Sequence, residues 1–303
     1  MVTGIPYSFK DRYFPIVDDP EAFLSCLNSQ VPRSFRVNTL KSSASHIKER
    51  FDSYNINIRP VQWYKDAFIS DEPEVGATFE HLSGEIYVQE LVSMLPPLLV
   101  KDRIEDKIIL DGCAAPGSKT TQLAAMMKNK GLLVANDISY SRIKALKFNQ
   151  EKAGAANTII TNKDLRHFPK MEFDVIILDA PCSSEGTIRK NFGISSLWSE
   201  KHINNLSKLQ KQLITKAFDL LAPGGFMVYS TCTFAPEENE AVVDHLLSNT
   251  EAKLMDIQLS GLRFSKTIEE WKGTEFSSEV KKARRIWPHH NNTGGFFLAK
   301  VTK

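Results

Sequence analysis

Two of the four cysteines stand where a thiol could do chemistry. Cys182 closes the run "FDVIILDAPC" and Cys232 closes "FMVYSTC". Each therefore follows an apolar stretch that reads as a buried strand. Cys26 and Cys113 read instead as small buried side chains, the common lot of a free cysteine. No two cysteines have C-x-x-C spacing, which argues against a zinc site and against a disulfide framework. The neighbours His289 and His290 have no cysteine or carboxylate at helical ligand spacing, so no metal site is expected there. Four acids, Asp111, Asp137, Asp164 and Asp179, also fall at or near strand ends. One such acid is ordinarily a cap or turn residue; four on one rim, beside two thiols, suggest a site.

The stretch "DGCAAPGSKT", residues 111–120, has the parts of a phosphate-binding loop in the wrong register. Gly112 and Gly117 have the separation of G-x-x-x-x-G-K-[ST], but Ser118 stands where the lysine belongs. Lys119 and Thr120 arrive one residue late. Pro116 removes one backbone N–H from the loop. "VIILD", ending at Asp179, resembles the strand and acid of a Walker B element, yet the other strand-end acids would repel phosphate. A ligand with an adenosine group and a positive centre fits better. Asp137, at the end of the second strand and roughly the ~20-residue interval beyond Gly112, suits ribose hydroxyls. Asp164 suits the adenine amino group, and Asp111 or Asp179 a sulfonium or ammonium charge. S-adenosylmethionine has these features and carries no phosphate.

The elements that must hold these residues alternate. "KIILD" (107–111), "GLLVAND" (131–137), "NTIITNKD" (157–164), "FDVIILDAPC" (173–182) and "FMVYSTC" (226–232) read as strands. Between them, Gly117 to about Lys128 and 139–154 read as helices. The second places Ile143 and Leu146 inward, with Phe148 a further candidate, and Gly154 as its cap. A long helix follows the fourth strand, with Ile203, Leu206, Leu209, Leu213, Ala217 and Leu220 on one stripe. Pro236 is expected to start another, and "GFFLAKV" (295–301) to form an edge hairpin strand. Continuous apolar strands alternating with helices imply a parallel sheet covered on both faces, with ligands beyond the strands' carboxyl ends. Upstream, Asp19-Pro20 starts a helix, "RSFRVNT" (33–39) is a strand, 43–54 a helix and "INIRPVQW" a strand. The turn-rich segment 71–85 suggests a boundary. "YVQELVSMLPPLLV" (87–100) reads as a helix that Pro96-Pro97 kinks or ends. The expected domains are residues 1–85, a small α+β unit, and 86–303, a Rossmann-like α/β unit.

The 303 residues are 42% hydrophobic and 24% charged, with a net charge of +2, so any basic surface must be local. No apolar run approaches the ~20 residues that span a membrane. The first residues lack the apolar core of a signal peptide. A cytoplasmic monomer is expected.

"DGCAAPGSKT", "DAPCSSEGT" and "YSTCTFAPEENE" together resemble the Sun/NSUN family of RNA cytosine-5 methyltransferases, as do "YVQELVSMLPP" and "RIWPHHNNTGGFFLAK". "RSFRVNTLK" is similar to the small N-terminal RNA-binding domain of that family. Ser118 departs from the glycine many members have. The resemblance implies a class I methyltransferase fold with a mostly parallel central sheet, S-adenosylmethionine as cofactor, and RNA as substrate, transfer RNA before ribosomal RNA. It implies that Cys113, Ala114, Ala115, Pro116, Gly117, Ser118, Lys119, Asp137, Arg142, Asp164 and Asp179 form the cofactor site. Carbon 5 of cytosine is a poor nucleophile until a thiolate adds at carbon 6, which is covalent catalysis. Residue types alone leave open which cysteine attacks. The DNA enzymes that form the same product use a Pro-Cys thiol, which would be Cys182. The RNA family uses the Thr-Cys thiol, which is Cys232, with Cys182 assisting release. Asp179 is then the partner of cytosine N3, protonated when needed, with burial beside a thiolate favouring that form. Lys119 has two readings, a catalytic lysine by resemblance or a helix-end cation contacting the loop. The helix expected at Pro236 could acidify Cys232, though Glu237, Glu238 and Glu240 at its start would offset that.

Lys281, Lys282, Arg284 and Arg285, beside Trp287 and His289, form the densest basic cluster, and Arg33, Arg36 and Lys41 a second; both are candidates for RNA phosphates. The rival reading is an inactive RNA-binding assembly factor on the same fold.

Overall fold

The computed structural model describes residues 5, 7–191, 193 and 198–303. Near its start, Asp19 accepts the Ala22 N–H at 2.9 Å and Pro20 takes the first position of a helix, so the chain turns into α2 (Pro20–Leu27) as its sequence predicts. Phe23 and Leu27 of α2, with Phe9 and Tyr13 of α1 (Tyr7–Tyr13), pack on Phe234 and Trp287. These first helices thus belong to the packing of the C-terminal unit, although they precede the small sheet in sequence.

That sheet has four antiparallel strands in the order β2-β3-β1-β4: β1 (Arg33–Val37), β2 (Ile58–Val61), β3 (Tyr64–Ser70) and β4 (Ile86–Val88). Helix α3 (Ala44–Ser53) covers it, with Ile47 and Phe51 against Phe35 and Phe68. The expected single strand over 56–63 is in fact the start of a hairpin. Its register shifts between Pro60 and Val61, where the proline cannot donate to a ladder, and β3 follows at once. The turn-rich segment holds the short α4 (Phe79–Leu82), and the sheet takes in residues beyond it, to Val88.

The helix expected over 87–100 does not form as one piece. After β4 come a single turn at Val92–Met94 and the short α5 (Leu95–Leu98). Pro96 and Pro97 sit in the first turn of α5, where a missing N–H leaves no bond unmade, so they begin a helix rather than end one.

The larger sheet has the order β10-β14-β9-β8-β5-β6-β7, with β13 (Arg284–Ile286) beside β14. Its parallel strands are β5 (Ile108–Asp111), β6 (Leu132–Asn136), β7 (Thr158–Thr161), β8 (Phe173–Asp179) and β9 (Leu221–Thr231). Helices α6 (Ser118–Met126), α7 (Tyr140–Ala153) and α8 (Glu200–Asp219) connect them, and α9 (Glu240–Asn249) leads to β10 (Lys253–Met255). A small hairpin, β11 (Glu270–Trp271) and β12 (Thr274–Glu275), and the short α10 (Pro288–Asn291) precede β14 (Phe296–Thr302). β14 is not an edge strand. It runs antiparallel between β9 and β10, which explains why Phe296, Phe297, Leu298 and Ala299 are all buried. From β5 the chain builds outward to β7, then crosses to β8 on the other side. The order reverses between β5 and β8, and in open α/β sheets that crevice is where ligands bind.

Three helical readings need correction. Phe148 of α7 is 62% exposed, while Leu146 is buried. The buried face of α8 includes Ser207 and Gln210, polar side chains with partners beneath them. Helix α9 begins at Glu240 rather than Pro236, with residues 236–239 in turns.

Candidate active site

Strands β8 and β9 run parallel with Asp179 opposite Ser230. The loop after Asp179 therefore carries Cys182 toward the end of β9, where Cys232 follows Thr231. The two Sγ atoms lie 3.2 Å apart, and both thiols are free. The Cys232 N–H points at Cys182 Sγ at 3.4 Å, and Ser184 Oγ lies 3.7 Å from Cys232 Sγ. One sulfur of such a pair can lose its proton while the other donates to it. The Cys182 S–H lowers the pKa of Cys232, helped by Ser184 and Lys119 and opposed by burial and Asp179. The same contact, with burial and Glu238, raises Cys182 well above its ordinary value. The acidity of Cys232 thus comes from its partner thiol; the helix beyond it starts eight residues later.

Asp179 ends β8 and takes two hydrogen bonds, from Lys119 Nζ at 2.6 Å and from Ser230 Oγ at 2.7 Å. Its closest charged partner is therefore an ammonium and not the thiolate that the sequence reading placed there. Lys119 also reaches Ser93 Oγ at 3.1 Å. The lysine is buried at the start of α6, and the turn that aims it needs Gly117. That residue has φ +105°, and a Cβ on it would stand 3.0 Å from Leu146 Cδ1.

Two hollows meet at this point. The first, of about 450 Å³, is lined by Cys113, Ala115, Asp137, Arg142, Asp164 and Asp179, with Gly112 and Asn136 behind them. The second, of about 270 Å³, is lined by Ser93, Glu90, Arg189, Gly294, Gly295 and Phe296 among others. Asp179 and Cys232 belong to the walls of both. Of the loop residues expected to line the first hollow, Pro116 and Ser118 face the second, while Lys119 reaches Asp179 and Ala114 packs beside Leu146. Gly117 shapes the turn.

Asp137 accepts the N–H of Ala115 at 3.1 Å and of Ser139 at 2.8 Å, and Arg142 lies 3.5 Å away. Arg142 also donates to the Ala115 carbonyl. Asp164 is engaged side-on by Arg166 (2.6 Å), which holds its carboxyl below the ordinary range. Asp111 accepts Thr120 Oγ1 at 2.7 Å, while its other oxygen is buried without a partner. Burial pushes its pKa up to about 7. These features fit S-adenosylmethionine. The first hollow is large enough for a small ligand, and Asp137, Asp164 and Asp179 make its wall acidic. The residues that would hold it are Asp137, Asp164 and Cys113, with Asp179 near the charged end and Asp111 buried behind the wall.

The sequence missed most of the second hollow. Its clearest signal was the pair Gly294-Gly295. Gly295 N–H donates to the Gly186 carbonyl at 2.9 Å, and a Cβ on Gly295 would fall 2.0 Å from Phe234 Cε1. Glu90 fixes the opposite wall by accepting from Val92, Ser93 and Gly294.

Neither basic cluster presents all of its cations to solvent: Arg33, Lys41 and Lys281 are exposed, but Arg36 and Arg285 are buried. Arg285 is buried against Glu240 and donates to the Phe234 carbonyl at 2.8 Å. Lys281 pairs with Glu269, Lys282 with Glu279, and Arg284 donates to the Lys281 and Ala283 carbonyls. Trp287 is part of the aromatic cluster under α1 and α2. Arg36 is buried, tying the small sheet to α6 through Gln89, Ser118 and Thr121. His289 and His290 do meet a carboxylate, that of Asp18 at 3.0 and 2.8 Å, which Arg263 also contacts at 3.2 Å. Sequence spacing could not show a partner more than two hundred and seventy residues away. Glu237 pairs with Arg12, and Glu238 accepts from Ser183 N and Gln210 Nε2.

Residues 98–302 match the family described as 16S rRNA methyltransferase RsmB/F, and residues 5–91 the N-terminal domain of 16S rRNA methyltransferase RsmF. A tRNA (cytosine(49)-C(5))-methyltransferase of Pyrococcus abyssi is 42% identical over 298 residues, covering 97% of this chain and 94% of its own. Ribosomal RNA small subunit methyltransferase F of Shewanella loihica is 41% identical over 93% of this chain, but this chain spans only 59% of it. Among solved structures, a methyltransferase homologue from Pyrococcus horikoshii superposes with a TM-score of 0.86 at 36% identity, covering 97% of this chain and 93% of that one. NSun6 from the same organism, solved with SFG, shares the fold at a TM-score of 0.86 and 23% identity, covering 100% of this chain and 99% of that one.

Proposed function

From the premise that the chain belongs to the RsmB/RsmF group of the Sun/NSUN family of S-adenosylmethionine-dependent RNA cytosine-5 methyltransferases, we propose that it forms 5-methylcytosine through a covalent Cys232 adduct, with transfer RNA as its substrate and ribosomal RNA second. The observation that carries the mechanism is Cys232 on the wall common to both hollows, 3.2 Å from Cys182. The preference for transfer RNA is supported by the 42% identity to the Pyrococcus abyssi tRNA (cytosine(49)-C(5))-methyltransferase over 97% of this chain. The enzyme acts as a cytoplasmic monomer, and its chemistry calls for no metal ion. Among the described residues, no helix is long and apolar enough to cross a membrane.

S-adenosylmethionine supplies the methyl group as an electrophile. The target cytosine leaves its stack and enters the second hollow. Cys232 thiolate adds to carbon 6, and negative charge grows on N3 and the carbonyl. Asp179 and Lys119 meet that edge, the lysine ammonium supplying the proton that N3 takes up. Carbon 5 then attacks toward the first hollow. Once the adduct has consumed the Cys232 thiolate, Cys182 loses its proton to solvent; as a thiolate it then takes the carbon 5 proton while the carbon 6–sulfur bond breaks, N3 returns its proton to Lys119, and Cys232 thiolate is restored. A chain in which Asp179 alone served would need a separate proton source; the 2.6 Å contact from Lys119 provides one.

The test is incorporation of labelled methyl from S-adenosylmethionine into tRNA and rRNA of a strain lacking the gene, with bisulfite sequencing to place the product. Label in tRNA cytosines is expected. Label confined to rRNA would reverse the substrate order, and none in either RNA would refute the reading.

A further inference from the structure

Helix α7 presents an outward face that nothing in the reaction scheme uses. Tyr140, Lys144, Phe148 and Lys152 follow one another at four-residue spacing, so aromatic and cationic side chains alternate down one line. Tyr140 is 70% and Phe148 62% exposed. Each ring is capped on one side by the next lysine: Lys144 Nζ lies 5.8 Å from the Tyr140 centroid, and Lys152 Nζ 5.6 Å from that of Phe148. The other side of each ring is left to solvent. Large exposed rings on a monomer's surface call for an explanation. The inner face of the helix is served by Leu146 and Ala153.

The line is unbalanced in charge. Helix α7 also carries Arg142 and Lys147, and its one acid, Glu151, pairs with Lys147. Among the described residues, no carboxylate pairs with Lys144, Lys152 or Lys41. At the helix's end Lys152 stands 3.3 Å from His81 Nε2 and close to Lys41, which donates to the Ser83 carbonyl. Beside His81, Phe79 and Leu82 of α4 are exposed as well. At the other end, Ile138 and Arg142 border the first hollow. The line thus runs from the reaction centre to the small N-terminal sheet.

We infer that this line is a binding site for single-stranded RNA flanking the target cytosine, with bases stacked on Tyr140 and Phe148 and phosphates held by Lys144, Lys152 and Lys41. Rungs four residues apart rise about 6 Å, a climb that an extended strand of nucleotides can follow. Aromatic platforms interleaved with cations are what strand-binding grooves use, because every base has a face to stack and every nucleotide a charge. A membrane-lying helix would segregate its rings and lysines onto opposite faces; here they share one. The inference rests on RNA being the substrate.

Two paired variants test it, Tyr140→Ala with Phe148→Ala and Lys144→Gln with Lys152→Gln. Binding of a tRNA transcript and of a single-stranded oligoribonucleotide is measured by fluorescence anisotropy over a salt series. S-adenosylmethionine binding serves as a check on the fold. The aromatic pair is expected to weaken RNA binding at least about tenfold. The lysine pair is expected to flatten the salt slope by about 1.4, two phosphate contacts on a single strand. Methyl transfer should show a raised KM for RNA with little change in kcat. RNA affinity and salt slope equal to those of the unaltered protein, in variants that still bind cofactor, would overturn the inference while leaving the methyltransferase reading intact. Absence of RNA binding by the unaltered protein would overturn both.

Discussion

Two thiols 3.2 Å apart can share one proton, and that sharing supports the roles proposed for them. The sulfur with the lowered pKa, Cys232, is the one on the wall of both hollows. In the proposed reaction Cys182 keeps its proton until Cys232 is consumed in the adduct. Cys232→Ala should therefore abolish both methylation and adduct formation. Cys182→Ala should still attack but fail to release, leaving an enzyme–RNA complex that survives a denaturing gel. An adduct from Cys232→Ala with normal turnover by Cys182→Ala would exchange the two roles. The order of the thiols was open in the residue types and was set by family resemblance. Their convergence was legible, because both closed apolar strands. The partner of Asp179 was not legible. Lys119 lies sixty residues earlier, and only the turn at Gly117 brings the two together. Lys119→Met should accordingly cut kcat by about 10²-fold or more, the ordinary range for a lost proton donor, while S-adenosylmethionine affinity changes little; a variant with normal kcat would leave the lysine a purely structural cation.

The parallel strands and their connecting helices followed from unbroken apolar runs and from acids at strand ends. What failed at this scale failed for local reasons. Pro96-Pro97 was read as an ending because proline breaks helices, but in a first turn the same missing N–H is harmless. β3 was overlooked because Lys65 and Asp66 interrupt its alternation and only the turn Gln62-Trp63, with no glycine, proline, asparagine or aspartate, separates it from β2. β14 was placed at an edge because it comes last in the chain, whereas its four consecutive apolar residues mark a strand buried on both faces. Phe148 was placed inward by its hydrophobicity, and its exposure points to a use for the outer face of α7. The start of β14 also carries a packing demand. Gly295 lets the backbone approach the Gly186 carbonyl beneath the Phe234 ring, and that ring is held by Phe23, Tyr13 and Trp287. Gly295→Ala has no free space to use. Overpacking of this kind costs typically about 1–3 kcal/mol, which should appear as a lower denaturant midpoint. Because Gly295 and Gly186 both line the second hollow, KM for RNA should rise further than stability falls. An alanine variant with unchanged midpoint and KM would mean that the aromatic cluster gives way freely.

Across the molecule the arginine–glutamate pairs Arg285–Glu240, Arg12–Glu237 and Arg50–Glu80 join distant elements, while Asp111 and Glu238 are buried and, among the described residues, form no ion pair. Asp111 and Glu238 both titrate near pH 7, chiefly because burial disfavours their charged forms. Glu238 receives hydrogen bonds from Ser183 and Gln210, and Asp111 one from Thr120; in each case these only partly offset burial. The sign of the effect on stability follows from proton counting. Unfolded, each carboxyl loses its proton near pH 4; folded, it holds the proton to about 7. Between those values the native state binds more protons, so stability declines as pH rises through the window. The bound for each group is about 1.4 kcal/mol per pH unit. Carboxylates held below the ordinary range, such as Asp164 and Glu200, act oppositely, losing stability as pH falls, so the wild-type curve alone does not isolate the term. The difference between variant and wild type does. Asp111→Asn and Glu238→Gln keep shape and remove the charge, and each should flatten the decline between about pH 4 and about pH 7 in urea midpoints. Bound cofactor should separate the two acids. A cofactor cation in the first hollow would act on Asp111 through space, from beyond the wall, and favour its ionised form, so S-adenosylmethionine should release protons on binding at about pH 6. That release should vanish in Asp111→Asn and persist in Glu238→Gln, as read by calorimetry in buffers of different ionisation enthalpy. Equal proton release by both variants would place the charged end of the cofactor elsewhere on the acidic rim, beside Asp179.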